Sequence, residues 1–282
     1  MLQPTALSEA HMECRSLDAT VPVLTDLLAF ERVGHGPGWA TVKHPSTPWL
    51  LTAHEVESDS AEKPAHHHFG VRVETKREVD AAWGYLNAHA VEYGLFDLKP
   101  QAYSHGSYSI HFREPGANDW EIECYEDVLR KESGGLRLGG VRSRHWEAPL
   151  DESQLRGRGF VPQAFTHGTL ACSDSKAYGE FLRDVLRLET HDAYAHVVYL
   201  KHPATKHFVV CLERPERNER SSDFRFTLTV ESPVAVEEAH MSIVAARGEM
   251  GLLAVGEIEG DDRRWFLLRD ADANWWEISS PR

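Results

Sequence analysis

Three side chains able to ligate a metal stand at corresponding places in the first half of this 282-residue chain: His11, His68 and Glu121, each more than fifty residues from the next. Two neutral imidazoles and one carboxylate form a facial set that leaves adjacent positions open on a divalent ion, where chemistry can take place. A second group, His105, Tyr108 and His111, precedes Glu121 on one strand-like segment. An imidazole there titrates near neutrality and suits proton transfer beside a metal. Histidine is in excess, 17 residues in all, and not every one needs a chemical role. His44 and His202 recur in a duplicated Lys-His-Pro turn and read as structural, while His66 and His67 read as strand-edge neighbours of His68.

Residues so remote converge only if separate segments fold into one cup, and the chain carries an internal repeat that would do this. Val42-Lys-His-Pro-Ser-Thr-Pro-Trp-Leu-Leu-Thr52 is echoed 158 residues on by Leu200-Lys-His-Pro-Ala-Thr-Lys-His-Phe-Val-Val210. Two more pairs are collinear with it: Phe69–Thr75 with Phe226–Ser232, and Arg113–Ile122 with Arg269–Ile278. Within each half the pattern reads strand, helix, three short strands, and then the same again. Ala10–Ser16 alternates as a strand, and Leu17–Phe30 has helical spacing with Ser16 as N-cap. Trp39–Lys43, Trp49–Val56, His67–Glu74, Ser107–Arg113 and Asp119–Tyr125 read as strands. Helices are expected over Lys76–Ala90, Lys176–Leu186 and Ala235–Arg247. The fold class is therefore α+β: four βαβββ modules paired into two domains, each a curved mixed sheet forming a cup or open barrel. The expected boundaries are 1–127 for an N-terminal domain of the first two modules, a Gly- and Arg-rich linker over 128–163, and 164–282 for a C-terminal domain.

Composition excludes several classes. With 41% hydrophobic and 26% charged residues the chain can bury a core. A net charge of −14 has the wrong sign for nucleic-acid phosphates or an anionic membrane surface. No apolar run approaches the ~20 residues of a membrane span, and the start lacks a basic and apolar leader, so a cytoplasmic location is expected. Cys14, Cys124, Cys172 and Cys211 form neither a C-x-x-C pair nor a disulfide framework.

The order of modules, the opening histidines and the closing segment His111-Phe-Arg-Glu-Pro115-Gly-Ala-Asn-Asp-Trp-Glu121 resemble the vicinal oxygen chelate superfamily. In layout the chain resembles its type I extradiol ring-cleaving dioxygenases, which usually carry tyrosine where His111 stands. The resemblance implies an Fe(II) centre, with Mn(II) or Zn(II) as alternatives, on His11, His68 and Glu121. It further implies a small aromatic diol and O2 as reactants, His111 or His105 with Tyr108 as proton-handling groups, and a homo-oligomer. The family's opening pattern, His, six residues, then Asp, is met by His11…Asp18 and by His167…Asp174. A gap-free alignment pairs His167 with Glu9, and a two-residue deletion pairs it with His11. His11 is taken as the ligand and Glu9 as the fallback.

The second half offers His167 and Glu277, but sets Arg225 against His68 and Leu267 against His111. A guanidinium cannot ligate a cation. The working site is accordingly expected in the N-terminal domain, with a degenerate copy in the C-terminal one. Two other activities fit the same scaffold: a metal-dependent glyoxalase-type isomerase or lyase, which more often uses four protein ligands, and a non-catalytic binder of small aromatic compounds.

Overall fold

The structure, a computed structural model, describes residues 2–57, 67–104, 106–127, 140–142, 144–146, 157–194, 196–215 and 220–282. The first module runs β1 (Ala6–Cys14), α1 (Leu17–Pro22), β2 (Glu31–Gly36), β3 (Trp39–Lys43), β4 (Leu50–Glu55). The second runs β5 (His68–Arg72), α2 (Lys76–His89), β6 (Phe96–Ser104), β7 (Ser107–Arg113), β8 (Asp119–Cys124). The third runs β9 (Ala164–Cys172), α3 (Ser175–Asp184), β10 (Glu189–Tyr194), β11 (Val197–Lys201), β12 (Phe208–Glu213). The fourth runs β13 (Arg225–Thr229), α4 (Pro233–Ala246), β14 (Ala254–Val255), β15 (Trp265–Arg269), β16 (Trp275–Ser279).

Local signals explain these boundaries. Thr75 closes a capping box with Glu78 ahead of α2, Asp174 accepts from Ala177 N at 2.9 Å ahead of α3, and Ser16 accepts from Ala19 N at 3.3 Å ahead of α1. The first helix stops short of the expected Phe30. Pro22 lacks an N–H and its ring crowds the preceding turn, so the chain widens into a π-helical turn over Val23–Leu27, closed by Leu28 N to Val23 O at 3.2 Å.

The strands form two eight-stranded mixed sheets, in the orders β14-β15-β16-β13-β1-β4-β3-β2 and β10-β11-β12-β9-β5-β8-β7-β6. The opening strand of the first module lies against that of the fourth, and the opening strand of the second against that of the third. This corrects the expected pairing of first with second and third with fourth. Period-2 alternation fixes which face a residue takes but not which strand lies beside it.

The chain divides into two compact units, residues 2–12 with 168–282 and residues 13–57 with 67–167. Each is tied by the same device. In one, buried Glu114 accepts from Thr20 Oγ1 (2.8 Å), Gly116 N (2.5 Å) and Asn118 N (3.0 Å), and Asn118 Nδ2 donates to Glu13 O (2.9 Å). In the other, Asp270 accepts from Tyr178 Oη (2.6 Å), Asp272 N (3.0 Å) and Asn274 N (2.9 Å), and Asn274 Nδ2 donates to Ala171 O (2.9 Å). Both turns place an alanine in the left-handed region, Ala117 at φ 63° and Ala273 at φ 66°. The Arg113–Ile122 and Arg269–Ile278 repeats thus preserve a buried polar tie rather than a site.

The duplicated Lys-His-Pro turns are structural as well. His44 Nδ1 accepts from Ser46 N (3.2 Å) and its Nε2 meets Pro162 O (3.0 Å); His202 Nδ1 accepts from Ala204 N (3.1 Å) and its Nε2 meets Pro4 O (2.9 Å). Burial lowers His44 to about 4, and likewise His207, whose Nε2 lies 2.5 Å from Leu7 O. Both are neutral in the folded state while the unfolded chain takes up a proton near pH 6.5. Stability is therefore full above that pH and is lost as pH falls toward 4, at a ceiling of about 3 kcal/mol for each histidine. Asp270, raised to about 6 by burial, works the other way over about pH 6 to 4. Two histidines against one aspartate predict a net drop in melting temperature from pH 6.5 to 4.5, smaller in His44→Asn. A melting temperature flat across this range contradicts the assignment.

Candidate metal centre

The register within one sheet brings four potential site residues onto one face. Gly70 pairs with Glu121 across the parallel β5/β8 ladder, and Glu121 pairs with His111 across the antiparallel β8/β7 ladder. His68, two residues before Gly70, shares its face. The remaining member comes from β9: His167 Nε2 lies 3.3 Å from Glu121 Oε2, and His68 Nε2 lies 3.5 Å from the same oxygen. Among the described residues, His68, Glu121 and His167 bring one ligand atom each to within 4.8 Å of one another. Donors 3.3–3.5 Å apart match neighbouring ligands on one ion with bonds of about 2.1 Å.

His167 therefore takes the place expected for His11. His11 and the fallback Glu9 lie on β1, which pairs with β13 of the other sheet, and His11 Nε2 is hydrogen-bonded to Thr227 Oγ1 at 3.1 Å. The signal for His167 was in the sequence, in His167…Asp174 and in the gap-free repeat; only the pairing of modules across the two halves was missed. Tyr108 is also displaced from the site. Three residues from His111 on an alternating strand, it takes the opposite face and donates to Asp80 Oδ1 of α2 at 2.8 Å. His105 lies outside the described residues.

Buried groups hold the ligands in place. Burial acts to raise the Glu121 carboxyl, but His111, His167 and His68 hold it well below the ordinary carboxylate value. His167 Nδ1 faces Thr166 Oγ1 at 3.1 Å and Glu123 Oε1 at 3.6 Å, which leaves Nε2 as the ligand atom. Glu123 is fixed in turn by buried Arg72, whose Nε and Nη2 donate to Oε1 at 2.9 and 2.5 Å. The carboxylate pair and one guanidinium leave the trio with a single uncompensated negative charge, suited to a dication. His111 stands at the edge of the set, Nε2 3.6 Å from Glu121 Oε1, and burial lowers its pKa below 6.5.

Gly70 is required here. A Cβ at this position would lie inside the imidazole of His167, in collision with Cε1, Nδ1 and Nε2. Gly70→Ala should therefore displace a ligand without deleting one, lowering metal affinity by about 10–100-fold. The overpacking adds about 1–3 kcal/mol of destabilisation. Metal titration alongside a thermal melt checks both, and unchanged affinity would count against His167 as ligand.

A two-histidine, one-carboxylate trio on a sheet shared by two βαβββ modules defines a modular α+β scaffold with a candidate divalent-metal centre. Residues 11–122 match the Glyoxalase/Bleomycin resistance protein/Dioxygenase superfamily. Among solved structures, a candidate dioxygenase from Bacillus subtilis aligns with a TM-score of 0.65 at 9% identity, over 99% of this chain and 86% of that one. Glyoxalase I from Zea mays aligns with a TM-score of 0.64 at 12% identity, over 99% and 92%. No curated protein sequence matches the chain. By sequence over residues 11–122 and by fold over its length, the chain belongs to the glyoxalase/bleomycin resistance protein/dioxygenase superfamily. None of its described helices is long and apolar enough to cross a membrane.

Proposed function

We propose that the chain is a non-haem Fe(II)-dependent extradiol dioxygenase that cleaves a catechol-type vicinal diol with O2, using His68, Glu121 and His167 to hold the metal. The carrying observation is a three-ligand set, rather than four, with a neutral imidazole beside it. β12 closes the third module as β8 closes the second, yet reads Phe208-Val-Val-Cys-Leu-Glu213. Burial raises its Cys211 thiol well above the ordinary value, and its Glu213 carboxylate accepts from Ser175 N at 3.2 Å. When bound, the ion supplies Lewis acidity, open coordination positions for a chelating diol and a path for electrons between ring and oxygen.

The side chains supply the rest. His111 Nε2, neutral at pH 7, accepts a proton from the diol hydroxyl and holds it for return to the ring-opened product. Glu123 and Thr166 keep His167 from rotating, and Arg72 keeps Glu123 charged and in place.

A glyoxalase-type isomerase or lyase is favoured instead by one observation. His111 is near enough to Glu121, at 3.6 Å, to join the ligands and complete a set of four. Oxygen uptake separates the two. Anaerobically loaded with Fe(II) and given a panel of catechols in air, a dioxygenase consumes O2 and forms a yellow ring-fission product. Turnover of a methylglyoxal–thiol adduct under nitrogen, without catechol-dependent O2 uptake, replaces it with the glyoxalase-type activity.

A further inference from the structure

The other sheet carries a second copy of this constellation, rebuilt around a guanidinium. Thr227 pairs with Glu277 across the parallel β13/β16 ladder, as Gly70 pairs with Glu121. Glu277 pairs with Leu267, as Glu121 pairs with His111. Glu9 pairs with Thr227 beyond an irregularity in β1 at Ser8. Ser8 Oγ donates to Thr227 O at 3.4 Å, as Thr166 Oγ1 donates to Gly70 O at 3.2 Å. Position for position, Arg225, Glu277 and Glu9 stand where His68, Glu121 and His167 stand. His11 adds an imidazole, its Nε2 3.9 Å from both Glu9 Oε1 and Glu277 Oε2.

The two sites neutralise a buried carboxylate differently. Glu121 is surrounded by imidazoles, whereas Glu277 accepts from Arg225 Nε at 2.8 Å and from Arg263 Nη2 at 2.7 Å. Glu9 accepts from Arg282 Nη2 at 2.8 and 2.9 Å. Arg225 is itself anchored, Nη1 donating to Ser222 O at 2.8 Å. A buried carboxylate needs a cation at hand, and a guanidinium meets that need without being able to ligate.

We propose that Glu9, His11 and Glu277 form a latent divalent-cation site, closed by Arg225 as its built-in cation, and that replacing Arg225 opens it to a metal such as Zn(II) or Co(II). Carboxylate and imidazole ligands suit these borderline ions. This assignment rests on the His68–Glu121–His167 trio as the template for the comparison.

Co(II) is the probe, read by its visible absorption and by equilibrium dialysis of the full chain. The unaltered protein should bind about one equivalent and His167→Ala none. Arg225→His made in the His167→Ala background should regain about one equivalent, with a tetrahedral-type absorption absent from its parent. Full retention of one equivalent in His167→Ala alone, lost on further Glu277→Gln substitution, overturns the closed state. A cooperatively folded Arg225→His/His167→Ala protein that binds no Co(II) overturns the latent site. Should that variant fail to fold, Arg225→Gln is closer in shape and removes the same charge, and it must gain Co(II) for the inference to stand. Absence of Co(II) from the unaltered protein would instead overturn the His68–Glu121–His167 centre, since the Arg225 variants are read in a background that lacks it.

Discussion

Replacing His167 by alanine should strip the protein of its divalent ion, while His11→Ala leaves metal content unchanged. His167 contributes one of three ligands whose atoms lie within 4.8 Å of one another, and its Nε2 stands 3.3 Å from Glu121 Oε2. Disturbing a group that merely orients a ligand costs about 10–100-fold in metal affinity, so removing the ligand itself should exceed the upper end of that range. His68→Ala should behave alike. His11 is hydrogen-bonded to Thr227 in the other sheet and makes no ligand in the trio. Metal content by elemental analysis after Fe(II) or Mn(II) loading and gel filtration reads all three variants. Metal lost from His11→Ala but retained in His167→Ala would restore the N-terminal pairing and discard the one described above.

That contrast measures what the sequence made legible. Strand and helix positions followed from periodicity and caps, so that β3 and β7 run over the residues expected, Trp39–Lys43 and Ser107–Arg113. Glu121 and His68 were identifiable because the motifs that carry them are local: a closing strand after a Pro-Gly turn, and an opening strand before a capped helix. The third ligand was not identifiable in the same way. His11 and His167 head equivalent strands, and the choice between them depends on which opening strand lies beside β5. Arg225 rightly disqualified its own site but said nothing about His167, because a site is shared between modules and not owned by one half. The gap-free repeat was the better guide: Ser8 with Thr166 and Glu9 with His167 keep both the irregularity in β1 and the register beyond it. Tyr108 was misplaced for a simpler reason, since three residues along a strand reverse the face.

Replacing His111 by phenylalanine should lower turnover by about 10²–10⁴-fold while metal content stays the same, if His111 handles the substrate's proton and is not a ligand. Phenylalanine fills the imidazole's space on a face where His111 is only partly exposed, so the fold should survive. The pH profile sharpens the test. Burial lowers the His111 pKa, against the pull of Glu121, so the ring is an unprotonated base at pH 7. Activity relying on it falls as pH drops through a pKa below 6.5, and a dication held nearby moves that limb lower still. The acid limb should vanish in His111→Phe. His111→Tyr restores a hydroxyl where the resembling dioxygenases carry tyrosine, and it should keep more activity than the phenylalanine variant. Loss of metal together with activity would give His111 the role of a fourth ligand and shift the balance toward a glyoxalase-type reaction. Full activity with an unchanged profile would remove His111 from the chemistry altogether.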